Sequence, residues 1–241
     1  MRTLGVDLSA QPQNTAACTI AWSLQNARIS SLKVDLTDDE LVSFGESADK
    51  IGLDVPFGWP TKFVTTISAH YQGVVCEKCS TQDLRFRATD QYVKSVTGKW
   101  PLSVSTDLIG VVALRAIRLL ERLAQETKVD RSGAGKMVEV YPAAALIEWG
   151  FANASKKQSR ELAGTFLSRV SHWLQFSVED EALLIQNRDA FDALIACLVS
   201  RAAAVGLVLP IPKDKIKDAT CEGWIALPAK DSLSQLVSSR F

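Results

Sequence analysis

The segment from residue 188 to residue 206, RDAFDALIACLVSRAAAVG, is the feature that most restricts how this chain can fold. Its helical pattern is apolar on nearly every side, so we expect a helix buried in the interior. Asp189 and Asp192 stand three residues apart near its start and share one helix face. Burying an unpartnered carboxylate is costly, so we expect a metal ion or an arginine beside them. In the simpler alternative, Asp189 only stabilises the helix N-terminus and Asp192 pairs with an arginine.

The rest of the pattern predicts one domain over residues 1–241, with an α/β fold built on a mixed five-stranded sheet flanked by helices. The first three strands are close in sequence, with Gln25 and Asn26 as a hairpin turn, so they should form an antiparallel meander. The fourth and fifth strands return through helical crossovers and should run parallel to the first. Pro56 ends the fourth strand, and residues 57–105 form an insertion of loops and short helices. We expect strands at 2–8, 15–23, 27–35, 50–55 and 136–141, and helices at 38–46, 106–126, 156–175 and 188–206.

Carboxylates end two strands that should lie side by side. Asp7 ends the first strand and Asp54 the fourth, and parallel neighbours lie about 4.8 Å apart with their carboxyl ends at one sheet edge. Two ionised carboxylates this close repel, so one holds a proton unless a cation lies between them. Mg²⁺ or Mn²⁺, hard divalent ions that take oxygen ligands, would meet that need. Glu139, at the end of the fifth strand, is a further candidate acid at this edge. Alternatively, each Asp only ends its strand, and Glu139 is an acid at a helix N-terminus.

Charge and composition exclude several classes of protein. Lysine plus arginine and aspartate plus glutamate both number 27, and this zero net charge argues against a protein that coats DNA by bulk electrostatics, though not against a local basic groove. Hydrophobic residues make up 47% and charged residues 22%, which excludes a disordered or fibrous chain. We expect no transmembrane helix and no signal peptide. Five cysteines, an odd number, fit a reducing compartment, so we expect a cytoplasmic protein.

Other motifs carry less information. Cys76 and Cys79 form a single C-x-x-C, which suits zinc or redox chemistry but is more simply a reduced loop, because a structural zinc needs four ligands. The sequence contains no P-loop, no G-x-G-x-x-G motif and no nucleophile elbow. Trp59 and Trp100 could stack on nucleic-acid bases, although packing is the commoner role.

The stretch RFRATD places Arg85, Arg87 and Asp90 in the insertion. Two arginines this close can bind a phosphate of a substrate. Alternatively, one of them pairs with Asp90 or with a carboxylate of the metal site. Acidic residues are in excess over 1–60 and basic residues over 81–136, which fits either two halves of one site or chance composition.

Six motifs in order resemble the domain-of-unknown-function family 429, over residues 3–228. They are GVDLSA, IGLDVPFGWP, RFRATD, VEVYPAAAL, RDAFDALIAC and CEGWIALP. The resemblance implies a predicted nuclease with an RNase H-like fold, and residues 189–194 also resemble the final helix of RuvC-type resolvases. RNase H-like nucleases hold two metal ions with carboxylates of the first strand, the fourth strand and the last helix. By this resemblance, those positions fall on Asp7, Asp54, Asp189 and Asp192, while Glu139 matches the E-x-Y-P motif of the family.

The sequence therefore predicts a metal-dependent nuclease that hydrolyses phosphodiester bonds in nucleic acid, using Mg²⁺ or Mn²⁺. Two other functions stay open: a non-catalytic binding or scaffold protein with the same fold, and an actin-like phosphotransferase that binds nucleotides. The phosphotransferase is disfavoured because such enzymes need two domains around a cleft, and no glycine-rich phosphate loop follows Asp7. If the predicted carboxylates lie close together in the fold, they would favour the nuclease. If they are dispersed or paired with arginines, they would favour the scaffold protein.

Overall fold

A computed structural model of the chain describes residues 1–75, 78–124, 128–151 and 159–239. It has an α/β fold in which helices flank a six-stranded mixed sheet. The strands are β1 Arg2–Asp7, β2 Ala16–Trp22, β3 Ala27–Val34, β4 Lys50–Asp54, β5 Met137–Glu139 and β6 Leu174–Gln175. Their order across the sheet is β5-β4-β1-β2-β3-β6.

The directions of the first five strands confirm the predicted mixed sheet. β2 is antiparallel to both β1 and β3, whereas β4 runs parallel to β1 and β5 parallel to β4. The prediction of five strands was wrong by one, because β6 pairs parallel with β3 at the far edge. β6 lies within residues 156–175, which we predicted to be one helix. A two-residue strand is too short to show an alternating pattern, so no local signal indicates it.

The helices follow the predicted pattern with additions near the C-terminal part of the chain. The helix predicted at 38–46 is confirmed, and Glu40 completes its capping box by accepting a hydrogen bond from the Thr37 N–H at 2.9 Å. Within the described ranges, no helix is both long enough and apolar enough to cross a membrane. The helices are α1 Asp38–Glu46, α2 Thr61–Tyr71, α3 Thr81–Arg85, α4 Ala88–Thr97, α5 Ile109–Ala124, α6 Pro142–Glu148, α7 Ser159–Val170, α8 Val178–Gln186, α9 Arg188–Ala204 and α10 Ile216–Glu222. The insertion at 57–105 thus holds α2, α3 and α4, whereas we predicted neither α8 nor α10.

α9 is the buried helix that the sequence predicts, and two glycines let it lie directly on the sheet. A Cβ atom added to Gly5 of β1 would lie 2.1 Å from the backbone nitrogen of Cys197. A Cβ atom added to Gly52 of β4 would lie 2.4 Å from the Ala196 carbonyl oxygen. Glycine is therefore required at both positions for the backbone of α9 to approach this closely. The opposite face of β1 and β4 packs against α1 and α5 in a separate apolar cluster.

Ion pairs join α1 to α5 beside that second cluster. Arg115 Nη2 lies 2.6 Å from Asp38 Oδ1, and Arg122 Nη2 lies 2.7 Å from Asp39 Oδ1. The two aspartates belong to the acidic part of the sequence and the two arginines to its basic part. These four charged residues of the acidic and basic segments therefore pair with each other where α1 packs against α5.

Candidate functional site

Asp7 and Asp54 end neighbouring parallel strands at one edge of the sheet. They are register partners in the ladder between β1 and β4. Side chains alternate along a strand, so Asp7 shares a face with Gly5, and Asp54 shares a face with Gly52. That face is the one covered by α9. Both carboxylates are half-buried there, next to one another.

The first turns of α9 bring two more carboxylates to this edge. Asp189 lies in the first turn, and Asp192 follows one turn later. Both raise the pKa of Asp7 through their charge, and Asp192 also acts on Asp54. Asp192 Oδ2 also accepts a hydrogen bond from Arg188 Nε at 3.3 Å. Asp192 therefore pairs with an arginine, as one of the two alternatives predicted. Its charge still acts on Asp7 and Asp54.

Burial and mutual repulsion raise the pKa values of this group. The pKa of Asp7 rises to about 8, first through burial and then through Asp192 and Asp189. The pKa of Asp54 is raised well above its ordinary value by burial, then by Asp7 and Asp192. The pKa of Asp192 rises to about 6 through burial, against the opposing charge of Arg188. In the absence of a cation, the group therefore holds a proton at neutral pH.

The donor chemistry of the group fits a hard divalent ion. Neither Asp7 nor Asp54 accepts a side-chain hydrogen bond from any residue that the structure describes. Both residues are half-buried, so their carboxylates stay accessible, and a set of oxygen donors suits Mg²⁺ or Mn²⁺. In the described ranges, however, no three His, Cys, Asp or Glu side chains form a group ready to hold a metal ion. Sharing one ion among three of these acids therefore requires side-chain movement.

Glu139 lies on the other face of the sheet, although its charge, after burial, Asp7 and Asp192, also raises the pKa of Asp54. The register pairs it with Leu53 rather than Asp54, so its side chain belongs to the other face of the sheet. Arg87 binds its carboxylate twice, from Nη2 to Oε1 at 2.7 Å and from Nη1 to Oε2 at 2.9 Å. The Phe57 N–H also donates to Oε2 at 2.9 Å. Glu139 is therefore a buried, arginine-paired acid, and a catalytic role for it stays a prediction.

Arg87 was predicted either to bind a phosphate or to pair with carboxylates, and in the structure it pairs with carboxylates. It donates to Asp90 from Nη2 at 3.0 Å and from Nε at 3.2 Å, and to the Glu222 carbonyl from Nη1 at 3.2 Å. Only 2% of its side chain is exposed. Together with the two bonds to Glu139, all five N–H groups of the guanidinium point at protein oxygens. Phosphate binding by Arg87 would require this network to open.

Arg85, the other predicted phosphate ligand, is half-buried on the insertion. Its Nε donates to Thr106 Oγ1 at 3.3 Å, and its guanidinium lies 4.9 Å from the centre of the Phe86 ring. Trp100 stacks on the same ring with centroids 4.2 Å apart, so it packs within the protein. A phosphate-binding role for Arg85 stays a prediction.

The cysteines of the described residues are free thiols. They are Cys18, Cys79, Cys197 and Cys221. Cys76 lies outside the described residues, so the structure gives no geometry for the C-x-x-C motif.

Comparison with known families supports the resemblance carried by the motifs. The family described as "Protein of unknown function (DUF429)" matches residues 5–216. The chain belongs to the DUF429 family. The DUF429 match includes all five predicted acids but ends before residues 221–228, the last of the six motifs. Neither the curated proteins nor the solved structures gave a match.

Three further residues lie near the acids of this DUF429 chain and were missed in the sequence. Arg188 pairs with Asp192, and its spacing of four residues on one helix is a recognisable signal. The pKa of Lys99 is lowered by burial and then by Arg188, with Asp192 opposing, so Lys99 lies close to both. Burial and the charge of Asp54 raise the pKa of Tyr141 to about 12. Lys99 and Tyr141 come from distant parts of the chain, and no local pattern links them to the acids.

Glu222, beyond the DUF429 match, joins the C-terminal part of the chain to the insertion. Its Oε1 accepts a hydrogen bond from the Thr61 N–H at 2.7 Å, and its Oε2 accepts one from the Ala88 N–H at 2.8 Å. Thr61 and Ala88 are the first residues of α2 and α4, so one carboxylate stabilises two helix N-termini. Since Arg87 also donates to the Glu222 carbonyl, this contact fixes the insertion beside the Glu139 network.

Residues 61–102 of the insertion line two of the cavities beside it. The smaller, of about 150 Å³, opens beside Asp54, and Arg87 and Glu139 form part of its wall. The larger, of about 750 Å³, is a groove between α10 and the helices α2, α3 and α4. The residues lining this groove include none of the five predicted acids, so the groove lies outside the candidate site, whereas the smaller cavity adjoins it.

Proposed function

We propose that this chain is a divalent-metal-dependent nuclease with an RNase H-like fold, which hydrolyses phosphodiester bonds in nucleic acid. The observation that carries the proposal is the pairing of Asp7 with Asp54 at the ends of adjacent parallel strands, facing Asp192 and Asp189. Binding of a divalent cation would relieve the repulsion that raises the pKa values of these acids. The antiparallel β1, β2 and β3, with β4 and β5 parallel to β1, are consistent with the proposed fold.

Each residue of the group has a distinct proposed role. Asp7 and Asp54 would hold the ion, and Asp192 and Asp189 would add oxygen ligands from α9. When bound, Mg²⁺ or Mn²⁺ supplies positive charge to the phosphate under attack and makes water acidic enough to attack at neutral pH. Arg188, with 57% of its side chain exposed, can donate hydrogen bonds to a phosphate of the substrate. Because the net charge is zero, substrate binding would depend on such local cations.

A second candidate function is a non-catalytic protein that keeps this fold and binds a partner. Two observations favour it: Glu139 is paired with Arg87, and the described residues contain no ready group of three metal ligands. In such a protein, Asp7 would hold its proton at neutral pH and would need no cation.

Crystals soaked in Mn²⁺ distinguish the two functions by anomalous scattering. The nuclease proposal expects one or two peaks bonded to oxygens of Asp7 and Asp54, and two ions would lie about 3.5–4 Å apart. The peaks should vanish in Asp54→Asn. They should persist in Asp39→Asn, a matched control at a side chain that is 88% exposed on α1. Wild-type crystals with no peak at Asp7 and Asp54 would favour the non-catalytic protein.

A further inference from the structure

We propose that the cavity beside Asp54 binds one unpaired nucleobase, which makes single-stranded or locally unpaired nucleic acid the substrate class. This inference rests on the proposed function, because the base would lie next to the phosphate that is hydrolysed at the acids. The cavity has a volume of about 150 Å³, and Asp54 forms part of its wall. Pockets for drug-sized ligands measure about 300–1,000 Å³, so this one has room for a single ring system.

The wall of the cavity is apolar where a base would stack. Its lining includes the side chains of Val55, Pro56, Pro101, Leu102, Ile109 and Tyr141. Arg87 and Glu139 also line the cavity, but their charged groups are already paired with each other. A base held here would be recognised by its flat faces rather than by its hydrogen-bonding edge. The pocket should therefore accept different bases.

The rim of the cavity is held in place on both sides of Leu102. On one side, Trp100 stacks on Phe86 with centroids 4.2 Å apart. On the other side, the Ser103 hydroxyl donates to the Arg85 carbonyl at 2.7 Å. Leu102 itself is 61% exposed at the mouth of the cavity. A rim that is formed before the ligand arrives lowers the entropic cost of binding.

The same geometry disfavours an intact duplex. A paired base is stacked between its neighbours and can enter a pocket only if it rotates out of the helix. That rotation costs pairing and stacking energy, whereas an unpaired base has little to lose. We therefore expect this chain to bind single strands more tightly than duplexes of the same sequence.

Binding of a dye-labelled oligonucleotide, measured by fluorescence anisotropy with Ca²⁺ in place of Mg²⁺, tests the pocket without relying on cleavage. The strand also carries one 2-aminopurine, whose fluorescence reports whether a base becomes stacked. We expect the single strand to bind about tenfold or more tightly than its duplex, with a change in 2-aminopurine fluorescence. Leu102→Trp should fill the mouth and weaken single-strand binding about tenfold, the effect of losing one stacked base. Leu108→Trp, at a residue that is 87% exposed and does not line the cavity, should bind like the wild type.

The outcomes separate this pocket from the proposed function. Three results would refute binding of a base in this cavity, even if Mg²⁺ supports cleavage. They are equal affinity of the wild type for single strand and duplex, equal affinities of the two tryptophan variants for the single strand, and no binding of the single strand by the wild type. Single-strand binding that Leu102→Trp weakens, together with no cleavage under Mg²⁺ or Mn²⁺, supports the pocket and refutes the nuclease. Because Leu102 is exposed, both variants should fold, and equal melting temperatures verify this.

Discussion

Asp7 and Asp54 are register partners on adjacent parallel strands, and their side chains share the sheet face that α9 covers. Their position explains why both carboxylates have raised pKa values, since burial and neighbouring acids disfavour the charged form. We therefore expect the stability of the folded chain to depend on pH and on divalent cations. Both sensitivities can be measured on the purified protein.

Without divalent metal, the free energy of unfolding should fall as the pH rises from about 5 to about 8. The pKa of Asp7 is about 8 in the folded chain, whereas an unfolded aspartate titrates near pH 3.9. Between these values the folded chain holds a proton that the unfolded chain has lost, so this stability is lost as the pH passes the folded pKa. Urea unfolding at several pH values measures the slope, which Asp7→Asn should reduce. An identical slope in wild type and variant would contradict the prediction.

Asp7→Asn should stabilise the metal-free chain at pH 8 and remove its response to metal. Asparagine keeps the size of the side chain but removes a repelling charge, so we expect a gain of about 1–2 kcal/mol. Mg²⁺ should raise the melting temperature of the wild type, because in the proposed function the ion binds the folded state alone. The variant should lose most of that rise, whereas the control Asp39→Asn should keep it. A full response to Mg²⁺ in Asp7→Asn would show that Asp7 is not a ligand.

Arg87→Met should strongly destabilise the chain, because it leaves Glu139 and Asp90 buried without their cation. Breaking a buried ion pair in this way costs about 3–5 kcal/mol. Arg118→Met is the matched control, since Arg118 is 84% exposed in its pair with Glu121. An exposed pair of this kind contributes at most about 1 kcal/mol. Urea unfolding of both variants measures the difference, and equal losses would refute the structural role of the Arg87 network.

Gly5→Ala should displace α9 from the sheet. The added Cβ would lie 2.1 Å from the Cys197 nitrogen and 2.2 Å from the Ala193 oxygen, and both are backbone atoms. We expect a loss of stability above about 3 kcal/mol, together with a weaker response to Mg²⁺. Gly164→Ala in α7 is the control, because an added Cβ meets no atom within 4 Å there. This helical substitution should stabilise the chain by about 0.5–1 kcal/mol, and similar effects of the two variants would refute the close approach of α9.

The sheet and its paired aspartates could be predicted because they follow from local patterns and connection rules. Asp7 and Asp54 each end an apolar run, and a helical crossover makes their strands parallel, so the two meet. α9 could be predicted as buried because its apolar residues surround the whole helix. For α8, a signal was present and overlooked, since Ser177 and Asp180 form a capping box at its start.

The contacts around the insertion could not be predicted, because they join residues that are far apart in sequence. Glu222 reaches the N–H groups of Thr61 and Ala88 across more than a hundred residues, and no local pattern marks such a pair. The choice of Arg87 between a phosphate and a carboxylate depended in the same way on Glu139, a residue on a distant strand. Side-chain partners of this kind are set by tertiary packing.

Cleavage of labelled nucleic acids by the purified chain tests the central claim most directly. Single-stranded DNA, duplex DNA, a four-way junction and RNA are each incubated with Mg²⁺ and with Mn²⁺. We predict cleavage of at least one substrate that contains unpaired nucleotides, with a rate that falls as the salt concentration rises. Asp7→Asn should leave that substrate intact, and Asp39→Asn should cleave it at the wild-type rate. All four substrates intact with both metals, or cleavage by Asp7→Asn at the wild-type rate, would contradict the account.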